Sequence, residues 1–169
     1  ATLVLPKEDF YQSIGEVSHV SLVPTQLQRW FDYLVEHPQP IKTQAVLLGG
    51  TQIPVKLTQA LNELGIRSYS GYGMTEMAST AFAKQSDGKI GVGQPLLGRE
   101  FKLVNEEVWL KGVGLAMGYW RDGRIEPLTN YEGWFQTKDK GQWLDNELVI
   151  RGRLDNMFIS GGENIQPEE

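Results

Sequence analysis

Hydrophobic and polar positions follow two different periods along the chain, and the change falls near Gly88. Before it, short apolar runs alternate with segments whose apolar residues recur every three or four positions, as on one face of a helix. The runs predict strands at residues 3–5, 19–23, 45–48 and 66–70. The periodic segments predict helices at residues 9–16, 25–36 and 54–64. This alternation is typical of an α/β fold, a mostly parallel sheet layered by helices.

After Gly88 the pattern changes to short runs of alternating apolar and polar residues, separated by Gly, Asn and Asp. These runs predict strands at residues 101–104, 107–111, 134–137 and 147–151. Frequent turns between short strands favour a small antiparallel β subdomain. The sequence therefore predicts a partial α/β subdomain at residues 1–88, an antiparallel β subdomain at 89–151, and a polar, Gly-containing terminus at 152–169.

Composition and charge narrow the class of protein. The chain has 169 residues, of which 40% are hydrophobic and 22% charged, a composition typical of globular proteins. No apolar run approaches the length of a membrane span, and the N-terminus lacks a signal-peptide pattern. The absence of Cys excludes disulfides, and the net charge of −5 argues against a broad nucleic-acid interface. We expect a soluble, cytoplasmic protein, and the sequence leaves homo-oligomer formation open.

The two ends of the chain suggest a piece of a longer protein. The sequence has no initiator Met and begins in an apolar run, Thr2 to Leu5. It closes on Pro167, Glu168 and Glu169, a pattern typical of the first turn of a helix. A first turn without the rest of its helix is unusual. We therefore expect further chain on both sides.

Unusual residues follow two of the predicted strands. Ligands bind outside the carboxyl ends of strands in open α/β sheets, and here those ends carry residues 49–51 (GGT) and 71–76 (GYGMTE). Glycines allow a flat ligand to approach the backbone, and Tyr72 offers a ring for stacking. The hydroxyl of Thr75 suits a phosphate oxygen, and the carboxylate of Glu76 suits Mg²⁺. A plain turn with Thr75 as a helix cap explains the same residues, so both interpretations stay open.

Two further segments carry charged residues. Residues 134–141 (WFQTKDKG) predict a strand that runs into a charged hairpin turn. Residues 152–164 combine Arg153 and Asp155 with a glycine pair, which suits either a joint between domains with an anion-binding Arg or a surface loop. His19 and His37 have no second ligand at metal-binding spacing, so neither is assigned to a metal.

Five motifs occur in the order of those of the acyl-adenylate-forming superfamily. Residues 72–76 (YGMTE) match its YGxTE motif, and residues 91–95, 118–120, 134–141 and 151–167 resemble the later ones. The chain is therefore similar to acyl-CoA synthetases, luciferases and peptide-synthetase adenylation domains. The resemblance implies an incomplete fragment of the large N-terminal domain of such an enzyme.

A narrower resemblance covers most of the chain. Residues 19–27 (HVSLVPTQL), 47–50 (LLGG) and 71–80 (GYGMTEMAST) are similar to the 2-succinylbenzoate–CoA ligases of menaquinone biosynthesis. The resemblance implies an AMP-forming acid–thiol ligase. Such an enzyme activates 2-succinylbenzoate with ATP and Mg²⁺ as an acyl-adenylate, and then transfers the acyl group to CoA as the second substrate.

The resemblance also implies a role for individual residues. By resemblance, Thr75 and Glu76 would be the catalytic residues, and Glu76 would also be the metal ligand. The nucleotide would be bound by Gly49, Gly50, Thr51, Tyr72, Gly73, Thr75, Asp139 and Arg153, with the ribose hydroxyls on Asp139. The acyl pocket would include Gly71, Met74 and Ser79, with Gly91–Gly93 nearby. Residues 152–169 would be the hinge and the start of the C-terminal domain, with Asp155 as the hinge residue.

Some features depart from the family pattern. Lys138 stands where the family has a Gly, which raises the question of backbone strain at this position, although the expected ribose-binding Asp139 is retained. The resemblance also places a phosphate-binding loop before Ala1 and a domain with the acylation lysine after Glu169, so we expect this chain to be inactive by itself. Two alternatives stay open: a ligase for another aryl or acyl acid, and a non-catalytic nucleotide-binding module.

Overall fold

The computed structural model describes residues 10–154, 158–160 and 163–165, which group into two compact units. Of the described residues, unit 1 contains those up to Ser70 together with Gln85–Ile90, and unit 2 contains Gly71–Lys84 and those from Gly91 onward. The strand expected at residues 3–5 lies outside the described residues. The domain limits expected from the sequence stay a prediction.

Unit 1 is the α/β part that the sequence predicts. Its helices are α1 (Phe10–Glu16), α2 (Pro24–Glu36) and α3 (Val55–Glu63), and its strands are β1 (His19–Leu22), β2 (Ala45–Leu48) and the first part of β3 (Arg67–Gly73). The strands pair in parallel, with His19 opposite Ala45 and Ala45 opposite Arg67. Each strand is joined to the next through a helix, which confirms the predicted fold class.

Helix α2 shows why the sequence folds this way. Pro24 occupies the first turn, where its missing N–H costs nothing, and the Gln26 side chain accepts a hydrogen bond from Val23 N at 3.0 Å. Leu27 and Trp30 lie on one face and are fully buried. They belong to the core of unit 1, which consists of Ile14, Leu22, Leu27, Trp30, Val46, Leu48, Leu57, Leu61 and Ile66.

Unit 2 is built from short strands, as expected. They are β4 (Thr80–Gln85), β5 (Gln94–Pro95), β6 (Arg99–Val104), β7 (Glu107–Gly112), β8 (Gly118–Arg121), β9 (Arg124–Pro127), β10 (Phe135–Leu144), β11 (Glu147–Arg153), β12 (Phe158–Ser160) and β13 (Glu163–Ile165). An antiparallel sheet forms in the order β11-β10-β7-β6, beside the separate hairpins β8–β9 and β12–β13. The core consists of Met77, Ala81, Phe82, Val92, Val108, Leu110 and Leu148.

Two predicted strand ends are wrong. Strand β3 does not stop at Ser70 but continues to Gly73, because glycine permits a close approach of the 79–80 backbone that a Cβ atom on Gly73 would block. Strand β10 does not end in a charged hairpin at residues 138–141 but continues to Leu144. The turn lies instead at Asp145 and Asn146, whose φ angles of 49° and 65° suit a tight hairpin.

The sequence pattern did not indicate β4, β5 or the hairpins β8–β9 and β12–β13. Within the described part of the chain, no helix is long and apolar enough to cross a membrane.

Candidate functional site

The middle of strand β10 leaves its regular pairing with β7, while Asp139 stays paired with β11 on the other side. Phe135 and Gln136 pair with β7, and pairing resumes only at Lys140. In between, Thr137 Oγ1 donates to Val108 O at 2.7 Å and accepts from Asp139 N at 3.0 Å. These side-chain hydrogen bonds replace the lost ladder bonds, so the irregular segment is held in one conformation.

Lys138 lies at the centre of this irregular segment. Its φ angle is 60°, in the left-handed region that favours glycine, and this is the position where the family has Gly. Lys138 N donates to Glu107 Oε1 at 2.9 Å, and Lys138 O accepts from Leu154 N at 2.7 Å. The backbone strain that the Gly-to-Lys difference suggested is present, and these hydrogen bonds keep the backbone of Lys138 in its strained conformation.

Asp139 is the centre of a buried polar cluster with Tyr72 and Arg153. Arg153 lies directly opposite Asp139 in the pairing of β10 with β11, and its Nη1 donates to Asp139 Oδ1 at 3.1 Å. Tyr72, at the end of β3, donates from its hydroxyl to Asp139 Oδ2 at 2.5 Å. The structure therefore brings together three of the residues that the sequence singled out from segments far apart in the chain.

Burial shapes the electrostatics of this cluster. Asp139 is 8% exposed, and Tyr72 packs against the core of unit 2 with its ring centroid 6.1 Å from that of Phe82. Burial, followed by the charge of Asp139 and the hydrogen bond to it, raises the pKa of Tyr72 far above its ordinary value. The phenol therefore stays protonated and donates, while the carboxylate accepts from both sides.

Glu76 is held by a second set of contacts. It lies in a single 3₁₀ turn, Thr75–Met77, that is anchored by the fully buried Met77. Glu76 O accepts a hydrogen bond from Ala116 N at 2.7 Å, and Glu76 Oε1 accepts one from the Tyr119 hydroxyl at 2.5 Å. Burial and the nearby carboxylate of Glu76 raise the pKa of Tyr119 to about 12, so this phenol is also a donor at neutral pH.

Arg153 connects the two clusters electrostatically. Its positive charge acts to lower the pKa of Tyr72 and also that of Tyr119, although in each case the raising effects are larger. Asp139, Arg153 and Glu76 all belong to unit 2.

The remaining candidate residues lie in different places. Thr75 is exposed at the start of the 3₁₀ turn, Met74 packs partly against the core, and the backbone O of the exposed Ser79 accepts from Met74 N at 3.0 Å. Gly71 is half-buried within β3. The segment 49–51 follows β2 and belongs to unit 1. The hinge residue Asp155 lies outside the described residues.

Sequence reasoning missed two residues of this region. Thr137 was part of a recognised motif but had no assigned role, although it supports the backbone of Asp139. Tyr119 lay in the GYW motif, yet nothing local in the sequence links it to Glu76, 43 positions away. The one available signal was that both residues fall in motifs of the same family.

Glu76 offers a metal ion a single carboxylate, which fits Mg²⁺ better than it fits a metal that takes all its ligands from the protein. Among the described residues, no group of three or more His, Cys, Asp or Glu side chains converges on one point. Mg²⁺ keeps several waters and is often bound by one or two carboxylates together with substrate phosphates. A single ordered carboxylate, with Oε1 held by Tyr119, provides that kind of partial site.

Comparison with known proteins gives a consistent result. A family model described as AMP-binding enzyme matches residues 1–120. The 2-succinylbenzoate–CoA ligase of Haemophilus influenzae is 68% identical over 100% of this chain, which covers 38% of that ligase.

Two solved structures show the same fold. A single-residue variant of Escherichia coli MenE with bound OSB-AMS has a TM-score of 0.81 and 51% identity, over 96% of this chain and 36% of that one. The o-succinylbenzoate coenzyme A synthetase (MenE) of Bacillus subtilis, in complex with ATP and magnesium ion, has a TM-score of 0.68 and 30% identity, over 90% and 35% of the two chains.

The chain therefore spans less than two fifths of the length of these relatives. The similarities confirm the resemblance drawn from the motifs. Because the family model covers most of the chain, this protein belongs to the family of AMP-binding enzymes.

Proposed function

We propose that this chain is part of an AMP-forming acid–thiol ligase that converts 2-succinylbenzoate, ATP and CoA into the CoA thioester, as in menaquinone biosynthesis. The observation that carries the proposal is the 68% identity with the Haemophilus influenzae ligase over the whole chain. The ordered cluster of Tyr72, Asp139 and Arg153 supports it, because a degenerate copy would have little structural need for it. We expect the ligase to be cytoplasmic.

The reaction has two steps in this proposal. A carboxylate oxygen of the acid attacks the α-phosphorus of ATP, the bond to the β-phosphate oxygen breaks, and pyrophosphate leaves with the electron pair. The thiol of CoA then loses its proton and attacks the acyl carbon, and AMP leaves. The first step brings two anions together, so it needs positive groups and ordered donors near the α-phosphate.

Asp139 is suited to bind the ribose. Each carboxylate oxygen has two lone-pair sites, and one on each oxygen is used by Tyr72 and by Arg153. Because it has two lone pairs on each oxygen, an ionised carboxylate can accept several hydrogen bonds at once, which suits the two hydroxyls of a ribose. Because both partners fix the carboxylate before ATP arrives, little side-chain order is lost on binding.

Thr75 and Glu76 are suited to the phosphate side. Thr75 is exposed and its hydroxyl can donate to an α-phosphate oxygen, while Glu76 would hold Mg²⁺. Bound there, Mg²⁺ would neutralise charge on the phosphates of ATP. Arg153, beside Asp139, adds a positive charge near the ribose and α-phosphate.

The other roles rest on the family resemblance. We propose that Gly49, Gly50 and Thr51 contact the adenine, and that Gly73 contributes to the nucleotide site. For the acid, the proposed contacts are Gly71, Met74 and Ser79. Asp155 is proposed as the hinge. Homo-oligomer formation stays open.

Pyrophosphate release by the full-length protein that carries this chain tests the proposal. With ATP and Mg²⁺ present, we expect release with 2-succinylbenzoate and not with benzoate or acetate. Release only with another acid would discard the substrate but keep the reaction. ATP binding without release for any aryl or acyl acid would leave a nucleotide-binding module. The isolated chain is expected to be inactive.

A further inference from the structure

The hydroxyl of Tyr119 is the one described side-chain group that pairs with the carboxylate of Glu76. Tyr119 Oη donates to Glu76 Oε1 at 2.5 Å, a length typical of a hydrogen bond to a charged acceptor. Among the described residues nothing pairs with Oε2. The contact therefore fixes one oxygen of the carboxylate and leaves the other open.

The same segment of chain also holds the backbone of Glu76. Ala116 N donates to Glu76 O at 2.7 Å, and Ala116 lies three residues before Tyr119. The 3₁₀ turn that carries Glu76 is closed by Ala78, which has a φ angle of 64° and donates from its N–H to Thr75 O at 3.0 Å. Glu76 is thus held at its main chain and at its side chain by one neighbouring segment.

Tyr119 belongs to a hairpin with few other attachments. Most residues of β8 and β9 are exposed, and Tyr119 itself is 45% exposed. Arg121 lies 5.7 Å from the centre of the Tyr119 ring. Because the hairpin and the Tyr119 ring bury little surface, Tyr119 contributes less to packing than to the orientation of the Glu76 carboxylate.

We propose that Tyr119 is a positioning residue that holds the Glu76 carboxylate in the orientation needed to bind a divalent cation together with the nucleotide. The inference rests on the proposed function of Glu76 and extends it to a residue outside the expected site. Without the hydroxyl, the carboxylate would have to be ordered when the cation binds, and that cost would weaken cation-dependent binding.

The test compares ATP binding with and without Mg²⁺, measured by calorimetry on the full-length protein in the absence of acid, so that no turnover occurs. The ATP affinity with Mg²⁺ divided by the ATP affinity without it isolates the contribution of the cation. Tyr119→Phe is expected to lower this ratio by about three- to tenfold, as for a lost hydrogen bond to a charged group of partly exposed geometry. ATP affinity in EDTA is expected to stay unchanged, because the phenol itself does not contact the nucleotide.

Tyr131→Phe is the matched control, since it removes the hydroxyl of a tyrosine that is 97% exposed, and it is expected to leave the ratio unchanged. Glu76→Gln provides the second comparison. If Tyr119 acts through Glu76, adding Tyr119→Phe to Glu76→Gln lowers the ratio no further. A purely structural role would change ATP affinity equally with and without Mg²⁺.

The outcomes separate this inference from the proposed function. An unchanged or increased ratio in Tyr119→Phe, while the unsubstituted protein releases pyrophosphate and binds ATP more tightly with Mg²⁺, would overturn the inference alone. An increase would mean that the phenol competes with the cation. A ratio near one in the unsubstituted protein would overturn the metal role of Glu76 and this inference with it.

Discussion

Replacing Asp139 by alanine removes the acceptor on which the proposed ribose contact depends. The side chain of Asp139 is 11% exposed, and it accepts from Tyr72 at 2.5 Å and from Arg153 at 3.1 Å. In the proposed complex it also accepts from the ribose. A hydrogen bond to a charged group contributes about 1.5–3 kcal/mol, and water replaces part of this in the variant. We therefore expect ATP binding to weaken by about 1–3 kcal/mol, or roughly 5- to 150-fold.

The substitution also affects the fold, so the assay must separate the two effects. Asp139→Ala removes the acceptor of the Tyr72 hydroxyl, and a buried hydroxyl that loses its partner costs about 1–3 kcal/mol of stability. Adding Tyr72→Phe removes that hydroxyl. The double variant is therefore expected to lose less stability than the sum of the two single variants.

Isothermal calorimetry with ATP on the full-length protein measures the binding effect, and circular dichroism at the same temperature checks that the variant is folded. Asp32→Ala is the matched control, because it removes an exposed carboxylate from helix α2. An Asp139→Ala protein that is folded and binds ATP as tightly as the Asp32→Ala protein would refute the ribose role.

Three further predictions concern stability, measured as thermal unfolding of the full-length protein. The pKa of Tyr72 is raised in the folded state, so the protonated phenol contributes to stability in full below its ordinary pKa of 10.0, and this contribution falls as the pH rises above that value. The stability of Tyr72→Phe should therefore decline less at alkaline pH than that of the unsubstituted protein. Lys138→Gly should stabilise by up to about 1 kcal/mol by relieving the positive φ angle, and a loss of stability would show that the lysine side chain contributes there. Lys84 donates to Glu147 at 2.6 Å, and both side chains are mostly buried. Lys84→Met should therefore destabilise more than Lys84→Met combined with Glu147→Leu, because the single variant leaves a buried carboxylate without its cation. A greater loss of stability in the double variant would contradict a desolvated ion pair.

The parts of the fold that depend on local periodicity could be predicted from the sequence. Helix α2 places Leu27 and Trp30 at helical spacing on its buried face, and β2 is a plain apolar run that pairs on both sides. Such elements are specified by their own residues, because burial of one face determines their position.

The ends of β3 and the middle of β10 could not be predicted in this way. Gly73 is a residue type common in turns, but it lies in a strand because the backbone at Ser79 packs too close to it for any side chain. The segment around Lys138 is irregular because two hydrogen bonds replace regular pairing with β7: Thr137 Oγ1 donates to Val108 O, and Lys138 N donates to the Glu107 carboxylate. These contacts link residues distant in sequence, and periodicity carries no information about them.

The residues of the site could be predicted where they fall in motifs, but their tertiary contacts could not. Tyr72, Asp139 and Arg153 were singled out by their motifs, and the structure brings them within hydrogen-bond distance. The partner of Glu76 was not found, because a tertiary contact with Tyr119 leaves no local pattern.

Direct detection of the acyl-adenylate is the measurement that tests the central claim most directly. The full-length protein is mixed with ATP labelled at the α-phosphate, Mg²⁺ and 2-succinylbenzoate, without CoA, and the products are separated. The account predicts a labelled adduct of the acid with AMP together with pyrophosphate. It also predicts that Asp139→Ala forms less adduct than the unsubstituted protein at an ATP concentration near the dissociation constant of the unsubstituted protein. ATP that binds but stays intact with every acid tested would contradict the account.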